Sequence, residues 1–348
     1  MVSGSGIHNK DGYSPFLSVL NIIIEKSPGG TMKVIEQLKV GNKPNFSFEI
    51  IPPQRGKSAQ EILSIVENLK SYQPRFIDVT SHSSEVKYEE SNDGMIRRRV
   101  RKKRPGTMSI CGIIQNRFNI DTVAHLLCRG FTREETEDAL IELNYLGIQT
   151  VLAIQGDEQN YKKTIESHRS ANVFASDLVK QIVDLRRGEY IEELDGADPI
   201  DMCIGVAGYP EKHFEAPNLN TDITHLKQKV EAGADYIVCQ MFFDNQVFYE
   251  FKEKCRAEGI TVPIIPGIKI IDRIKQLKTI PKNFHVNIPD ELVQQMLLDR
   301  KRVKEIGINW CLMQCMDLLE HGENHIHFYV MNDVSRVTSV MDQILKKG

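Results

Sequence analysis

From residue 46 onward, short runs of β-branched and aromatic residues alternate with longer stretches whose apolar positions recur every three to four residues. The alternation predicts strands and helices in turn, as in a parallel sheet assembled from βα units. Strands are predicted at 46–51 (FSFEII), 75–80 (RFIDVT), 122–127 (TVAHLL), 149–154 (QTVLAI), 201–207 (DMCIGVA), 235–240 (DYIVCQ), 262–267 (VPIIPG) and 325–330 (HIHFYV). Helices fit 107–118, 175–188, 221–233, 245–258 and 271–280, then 289–303 and 305–321 before the last strand and 334–347 after it. Ser58-Ala-Gln-Glu61 and Thr132-Arg-Glu-Glu135 read as capping boxes that start two more helices. Behind the first, Ile62, Leu63, Ile65, Val66 and Leu69 make one apolar face.

Eight such units predict an α/β fold, a closed (β/α)8 TIM barrel with extra C-terminal helices. The rival, an open doubly wound sheet, calls for G-x-G-x-x-G after its first strand, where this chain has IPPQRGKSAQ. The barrel directs attention to the carboxyl ends of the strands. Regular spacing breaks after the second strand at SSEVKYEESNDGMIRRRVRKKRPG, where Asn92-Asp93-Gly94 is a hairpin turn signal. Seven of the eight residues 97–104 are Arg or Lys. They read either as an anion or nucleic-acid patch or as a solvated hairpin arm opposite Glu85, Glu89 and Glu90, and the near-neutral chain favours the second.

MKVIEQL begins at Met32, so a single barrel is expected over 32–348. Residues 1–31 read as a disordered or non-native N-terminal extension, with a native segment covering the bottom of the domain as the alternative. At 41% hydrophobic and 26% charged residues, the 348-residue chain has material for a large core. A net charge of -3 gives no general pull toward nucleic acid or an acidic membrane, and neither is an expected partner. The apolar run LSVLNIII at 17–24 is too short to span a bilayer, and a cytoplasmic location is expected. Seven cysteines without a C-x-x-C read as reduced thiols. Cys311 and Cys315, one turn apart, have no partner at metal spacing, so they read as core and no metal is expected.

Against this frame a few residues stand out. Glu49 lies among Phe46, Phe48 and Ile50 in a strand expected to be buried on both faces. Desolvation raises the pKa of such a carboxyl until it can hold and deliver a proton at neutral pH; pairing with a buried Arg or Lys is the equal alternative. AIQGD (153–157) ends the fourth strand with Gly156, which permits close backbone approach, and Asp157, an acid at the barrel mouth. Phe76, Asp78 and Thr80 share a face, and His125 sits within the third strand, as a ligand contact or a hydrogen-bonded core histidine. GVAGYPEKHFEAPN after the fifth strand, with Tyr209 and His213, suits a ligand loop. Asp222, His225 and Lys229 fall on one helical face, fit for sugar hydroxyls and a phosphate or for a surface ion-pair stripe. Gln240 ends the sixth strand before MFFDN and offers an amide donor and acceptor to a planar heterocycle.

SFEIIPP, AHLLC, AIQGD, FASDLV, AGYPEKH, KQKVEAGADYIVCQMFFD, IIPGI and HFYVMN occur in the order and spacing of one family, and over about residues 45–333 the chain resembles the methylenetetrahydrofolate reductases. The resemblance implies a bacterial-type barrel without a C-terminal regulatory domain, binding FAD, taking NADH or NADPH as co-substrate in ping-pong fashion, and reducing 5,10-methylenetetrahydrofolate to 5-methyltetrahydrofolate. It implies Glu49 as proton donor, Asp157 as the acid beside flavin and folate, and Gln240 as a folate and nicotinamide contact. Thr80, His125, Gln155, Gly156, Asp157, Tyr209, His213, Asp222, His225 and Lys229 fall on its flavin-contact positions, with Ala207 packing there through its backbone. A homo-oligomer is expected by the same resemblance. Alternatives are another flavin barrel oxidoreductase, proline dehydrogenase-like, and a non-catalytic folate- or flavin-binding subunit that needs a partner.

The chain departs from the family at Gln155, where many members carry Arg, and at Gln228, where many carry a basic residue. Both remove positive charge near the expected flavin diphosphate, which predicts weaker FAD binding unless Lys229, His213 or the basic hairpin compensates. Asp333 replaces an Arg that meets the folate tail in relatives, with Arg336 one turn later as a substitute.

Overall fold

The alternation of apolar runs closes on itself. In the computed structural model, which describes residues 31–40, 44–156, 170–331 and 333–347, eight parallel strands form a closed barrel. They are β1 (Asn45–Ile50), β2 (Phe76–Val79), β5 (Asp121–Leu127), β6 (Thr150–Ile154), β7 (Cys203–Gly208), β8 (Tyr236–Met241), β9 (Ile264–Ile268) and β10 (His325–Met331), in the order β1-β10-β9-β8-β7-β6-β5-β2. Every predicted strand is present, most displaced by one or two residues at an end. Residues 1–30 and 157–169 lie outside the described residues.

Each strand sorts its side chains by its two-residue period. Phe46, Phe48 and Ile50 point outward into the main core beneath the helices, while Phe76, Val123, Leu152, Cys203, Tyr236, Val238 and Ile265 form a separate cluster inside the barrel. A short first helix, α1 (Val34–Gln37), closes the amino-terminal end: Val34 joins the inner cluster, its N–H donates to Thr150 Oγ1, and Gln37 Nε2 donates to Asp121 Oδ2 at 2.6 Å. Thr31 Oγ1 donates to Gln149 at the same end.

Glycine makes room where backbones come close. A Cβ on Gly267 in β9 would stand 2.1 Å from the Cys239 carbonyl oxygen and 2.7 Å from the Tyr329 ring, so the hydrogen is needed for β8 and β10 to approach from both sides.

The outer layer holds α2 (Gln60–Lys70), α3 (Thr107–Phe118), α4 (Arg133–Tyr145), α5 (Ala175–Arg186), α6 (Leu219–Glu231), α7 (Asn245–Ala257), α8 (Gln276–Phe284), α9 (Asp290–Leu298), α10 (Val303–Glu320) and α11 (Ser335–Lys347). Thr132 forms the expected box: its hydroxyl accepts from Glu135 N at 3.1 Å and Glu135 accepts from Thr132 N at 2.9 Å. The Ser58 box does not form. Ser58 Oγ takes the amide of Gln60 two residues on, and α2 starts one residue later than a Ser58 cap would place it. The helix expected at 271–280 is also displaced, because Gln276 Oε1 accepts the N–H groups of Asp272 and Arg273 and starts α8 only there. It then runs past Pro281, ending when His285 turns left-handed and donates to the Pro281 carbonyl. All seven cysteines are buried free thiols.

The insertion after β2 is a two-stranded ribbon, β3 (Glu85–Glu90) and β4 (Ile96–Arg101), paired antiparallel. Its acids face its bases: Arg101 and Lys103 both meet Glu85, and Arg99 meets Glu89 at 3.2 Å.

Gly267→Ala should misplace β8 against β9, since its nearest obstacle is a backbone carbonyl that cannot rotate away. We expect a loss of about 3 kcal/mol or more in urea unfolding, or no soluble protein. An unaltered midpoint would contradict the packing described.

Candidate active site

Parallel register carries chemistry to the carboxyl ends of the strands. Glu49 is the partner of Asp78 on β2 and of Tyr329 on β10, so these three inward residues share one level at the mouth. His125 on β5 reaches both acids, its Nε2 standing 3.3 Å from Asp78 Oδ2 and 3.7 Å from Glu49 Oε2. The apolar neighbours that mark Glu49 in the sequence are not what surrounds it, because Phe46, Phe48 and Ile50 face the helices on the other side of the strand. The neighbours are titratable groups from other strands.

The Glu49 side chain is 13% exposed. Burial pushes its pKa up to about 7; His125 pulls it down, the Asp78 charge adds to the rise, and Lys269 opposes it. Burial alone would lower His125, but its hydrogen bond to Asp78 and the charges of Glu49 and Asp78 outweigh that and raise it. Lys269, just past β9, donates to the Tyr329 carbonyl, and burial brings its pKa down to about 8. Tyr329 hydroxyl donates to Cys239 O at 2.7 Å. Beneath this level, His325 and His327 flank Ser47 Oγ at 3.0 and 2.8 Å, and burial lowers them to about 3 and about 4. They are neutral imidazoles that fill the barrel.

Thr80 follows β2, its N–H on Ile50 O, its carbonyl taken by Thr107, and its buried hydroxyl without a partner. Gln240, inward on β8, turns its Oε1 back to Met241 N at 2.9 Å. Asp157 lies outside the described residues.

Beside the acids, a cleft of about 310 Å³ opens between the ends of β6 and β7 and the helices α5 and α6. Gln155, Ala207, Tyr209, His213, Asp222, His225 and Lys229, all expected at a ligand site, line it together. Asp222, His225 and Lys229 do so from one face of α6, where Asn218 caps the helix by accepting from Thr221 N. Asp222 Oδ2 accepts from His213 N at 2.8 Å, and Lys229 Nζ donates to Ala207 O at 2.8 Å. Burial brings Lys229 down to about 8 and holds His213 below the usual histidine range. Gly156 takes φ +90°, a left-handed turn that favours glycine. His125, Thr80 and Gln240 stand outside this cleft, around the acids. Among the described residues no cluster of His, Cys, Asp or Glu is placed to hold a metal ion.

Sequence reasoning missed several groups. Phe174, Ala175 and Ser176 at the start of α5 line the cleft and turn the helix's positive end toward it. The FASDLV motif held that signal. Lys269 gave none, and Asp78, read only as sharing a face with Phe76 and Thr80, gave no sign that it tunes Glu49, because a distant strand sets their meaning. Arg336 meets Asp272 at 3.6 Å and Asp333 at 3.5 Å, so this guanidinium is held between two carboxylates.

The fold and this mouth define a (β/α)8 barrel with a cleft and a cluster of titratable groups at the carboxyl ends of its strands. The chain belongs to the methylenetetrahydrofolate reductase family, whose model, described as "Methylenetetrahydrofolate reductase", matches residues 34–345. It is 31% identical to methylenetetrahydrofolate reductase 1 of Schizosaccharomyces pombe over 306 residues, 87% of this chain and 46% of that one. Methylenetetrahydrofolate reductase (NADH) 1 of Arabidopsis thaliana is 31% identical over 89% of this chain and 50% of its own length. For 5,10-methylenetetrahydrofolate reductase of Escherichia coli the identity is 29%, over 84% of this chain and 88% of that one. The chain thus spans about half the length of the fungal and plant relatives. Among solved structures, a Clostridium thermocellum protein that binds two copies of 5-methyl-5,6,7,8-tetrahydrofolic acid is similar with a TM-score of 0.52 at 12% identity, over 88% of this chain and 96% of that one, and shows the barrel fold.

The raised pKa of Glu49 has a consequence for stability. A carboxyl at about 7 in the folded chain, against an ordinary 4.5, contributes stability in its neutral form that is full below 4.5 and lost as pH rises through 7. Glu49→Gln removes the titration. We expect its unfolding free energy to gain about 2 to 3 kcal/mol on the wild type between pH 4 and pH 8. Parallel pH profiles in chemical denaturation would show Glu49 to be unperturbed.

Proposed function

We propose that this chain reduces 5,10-methylenetetrahydrofolate to 5-methyltetrahydrofolate at the expense of NADH or NADPH, with FAD as its resident cofactor. The observation that carries the proposal is the pairing of a proton-holding Glu49 with an adjoining cleft suited to a nucleotide. The family match supports the substrate. Relatives described as NADH and as NADPH forms both occur, so the family leaves the choice of nicotinamide open.

The cleft residues fit a flavin nucleotide. Asp222 and His225 suit ribose hydroxyls, the α5 amino end with Ala175 and Ser176 suits phosphate, and Ala153, Ile154 and Ala207 offer an apolar floor. The orphaned Thr80 hydroxyl, with His125, is available to the polar edge of a ring system at the mouth. When bound there, FAD would supply a carrier of hydride between NAD(P)H and the folate, with the two substrates alternating.

The protein's own part is proton delivery. Methylenetetrahydrofolate must open its five-membered ring before its one-carbon unit can accept a hydride. Opening breaks a carbon–nitrogen bond and puts a proton on the departing nitrogen, leaving an iminium carbon that becomes the methyl. Glu49, half protonated near pH 7, gives up that proton, a step worth typically ~10²–10⁴-fold in rate. Asp78 orients His125, which stands beside the carboxyl, and solvent restores the proton between turnovers. Gln240, with donor and acceptor at the same mouth, suits the pterin edge.

Two anaerobic half-reactions test the proposal. NADH or NADPH should bleach the flavin of the FAD-loaded protein, and methylenetetrahydrofolate should recolour it with formation of methyltetrahydrofolate. Glu49→Gln should keep the first half-reaction and slow the second by about 10²-fold or more. Bleaching by a small reductant such as proline would move the chain to another flavin-barrel class. Folate binding without either half-reaction would make it a subunit awaiting a partner.

A further inference from the structure

The cleft beside the mouth is short of available positive charge. Lys229 is committed to the Ala207 carbonyl, His213 accepts from the Glu215 N–H at its Nδ1, and Gln155 and Gln228 on the walls are neutral. One guanidinium stands close behind. Arg129, on the loop after β5, donates through Nη1 to the Gly156 carbonyl at 3.1 Å and through Nη2 to Glu215 Oε1 at 2.9 Å. Gln155 joins the same pair. With its amide oriented by these neighbours, its oxygen accepts from Arg129 Nη2 at 3.1 Å and its nitrogen donates to Glu215 Oε2 at 3.2 Å.

The arrangement is directional. Gln155 and Glu215 line the cleft, whereas Arg129 lies behind them with its side chain 22% exposed. Glu215 comes from the loop after β7, so the ion pair ties two loops together at the rim. Its carboxylate, 35% exposed, places a negative charge on a wall where the α5 amino end attracts an anion. A partly exposed ion pair contributes little to stability, so exchanging it for another anion costs little. A guanidinium fork fits phosphate oxygens at least as well as a carboxylate.

We infer that Arg129 is the cation that receives the cofactor's diphosphate, and that Glu215 is a place-holding carboxylate which the diphosphate displaces. The inference rests on the flavin reading and adds to it a residue from a different loop. It makes a specific demand: the two partners of one ion pair must act on binding with opposite signs. Removing the cation weakens the anion's hold, and removing the carboxylate frees the cation. A purely structural bridge would respond alike to loss of either end.

The test titrates the full-length, flavin-free chain with three probes: FAD, riboflavin and ADP, which carries a diphosphate without a flavin. Fluorescence follows the flavins and calorimetry follows ADP. Arg129→Gln should weaken FAD and ADP by about 10-fold or more and leave riboflavin unchanged, with Arg129→Lys between it and the wild type. Glu215→Gln should tighten FAD and ADP by up to about 5-fold. Thermal melts of each variant separate loss of binding from loss of fold, and Glu215→Gln carries the test if Arg129→Gln does not fold. The inference is overturned if both substitutions weaken FAD, if riboflavin suffers as FAD does, or if FAD binds with neither substitution having an effect; in that last case the flavin reading survives. Arg129-dependent binding of ADP with no binding of either flavin would overturn the flavin reading and leave the diphosphate site standing. Binding of no probe would overturn both.

Discussion

Removing a carboxyl group from water costs more than any single contact at this site returns, and the mouth of the barrel is organised around how much of that cost Glu49 recovers. Burial and the Asp78 charge raise its pKa, while His125 and Lys269 draw it back, and the balance lies at about 7. The cations that oppose the rise are themselves subject to burial, and Lys269 is lowered to about 8 by the same desolvation. Proton affinities that differ widely in water are thus brought together, which suits a group that must both hold and release a proton. Closure of the barrel makes this possible. β10, β1, β2 and β5 stand side by side, and their register brings Tyr329, Glu49 and Asp78 to one level with His125 two residues beyond.

Much of the fold was legible because a barrel strand is a continuous apolar run, recognisable without knowing its neighbours. Ends were less so. Ser58 had the residues of a capping box, yet a box needs the helix to begin next to it, and here Gln60 intercepts the hydroxyl. The predicted helix stopped at residue 280, before Pro281, but one lost N–H is tolerable where the helix closes one turn later on a left-handed His285.

The site was legible by residue type and illegible by surroundings. Glu49 drew notice as an acid among phenylalanines, but those rings face the helices and play no part in its immediate setting. The two-residue period told which residues share a face without telling which face lies inside, since both are buried. The α6 face was easier. Asp222, His225 and Lys229 derive their common direction from helical geometry alone, and all three line the cleft. The parts that Asp78, Lys269 and Arg129 play could not be read, because each acts on a residue brought near only when the barrel closes.

The same distinction bears on Gln155. Reading along the chain, a neutral amide where the family resemblance leads one to expect a guanidinium is a lost charge. In space the charge is not lost, because Arg129 lies against the Gln155 amide, 3.1 Å away, and projects from the neighbouring strand's loop. An electrostatic field depends on where a charge stands and on how much water surrounds it, and not on which loop holds it. A basic side chain can therefore move between adjacent βα loops of a barrel while the field in the cleft between them is kept. What does change is the pairing. Set behind the wall instead of on it, the guanidinium has room for a carboxylate partner, and Glu215 takes that place. The cleft then carries its cation in a covered form, so that ligand entry becomes an exchange of one anion for another.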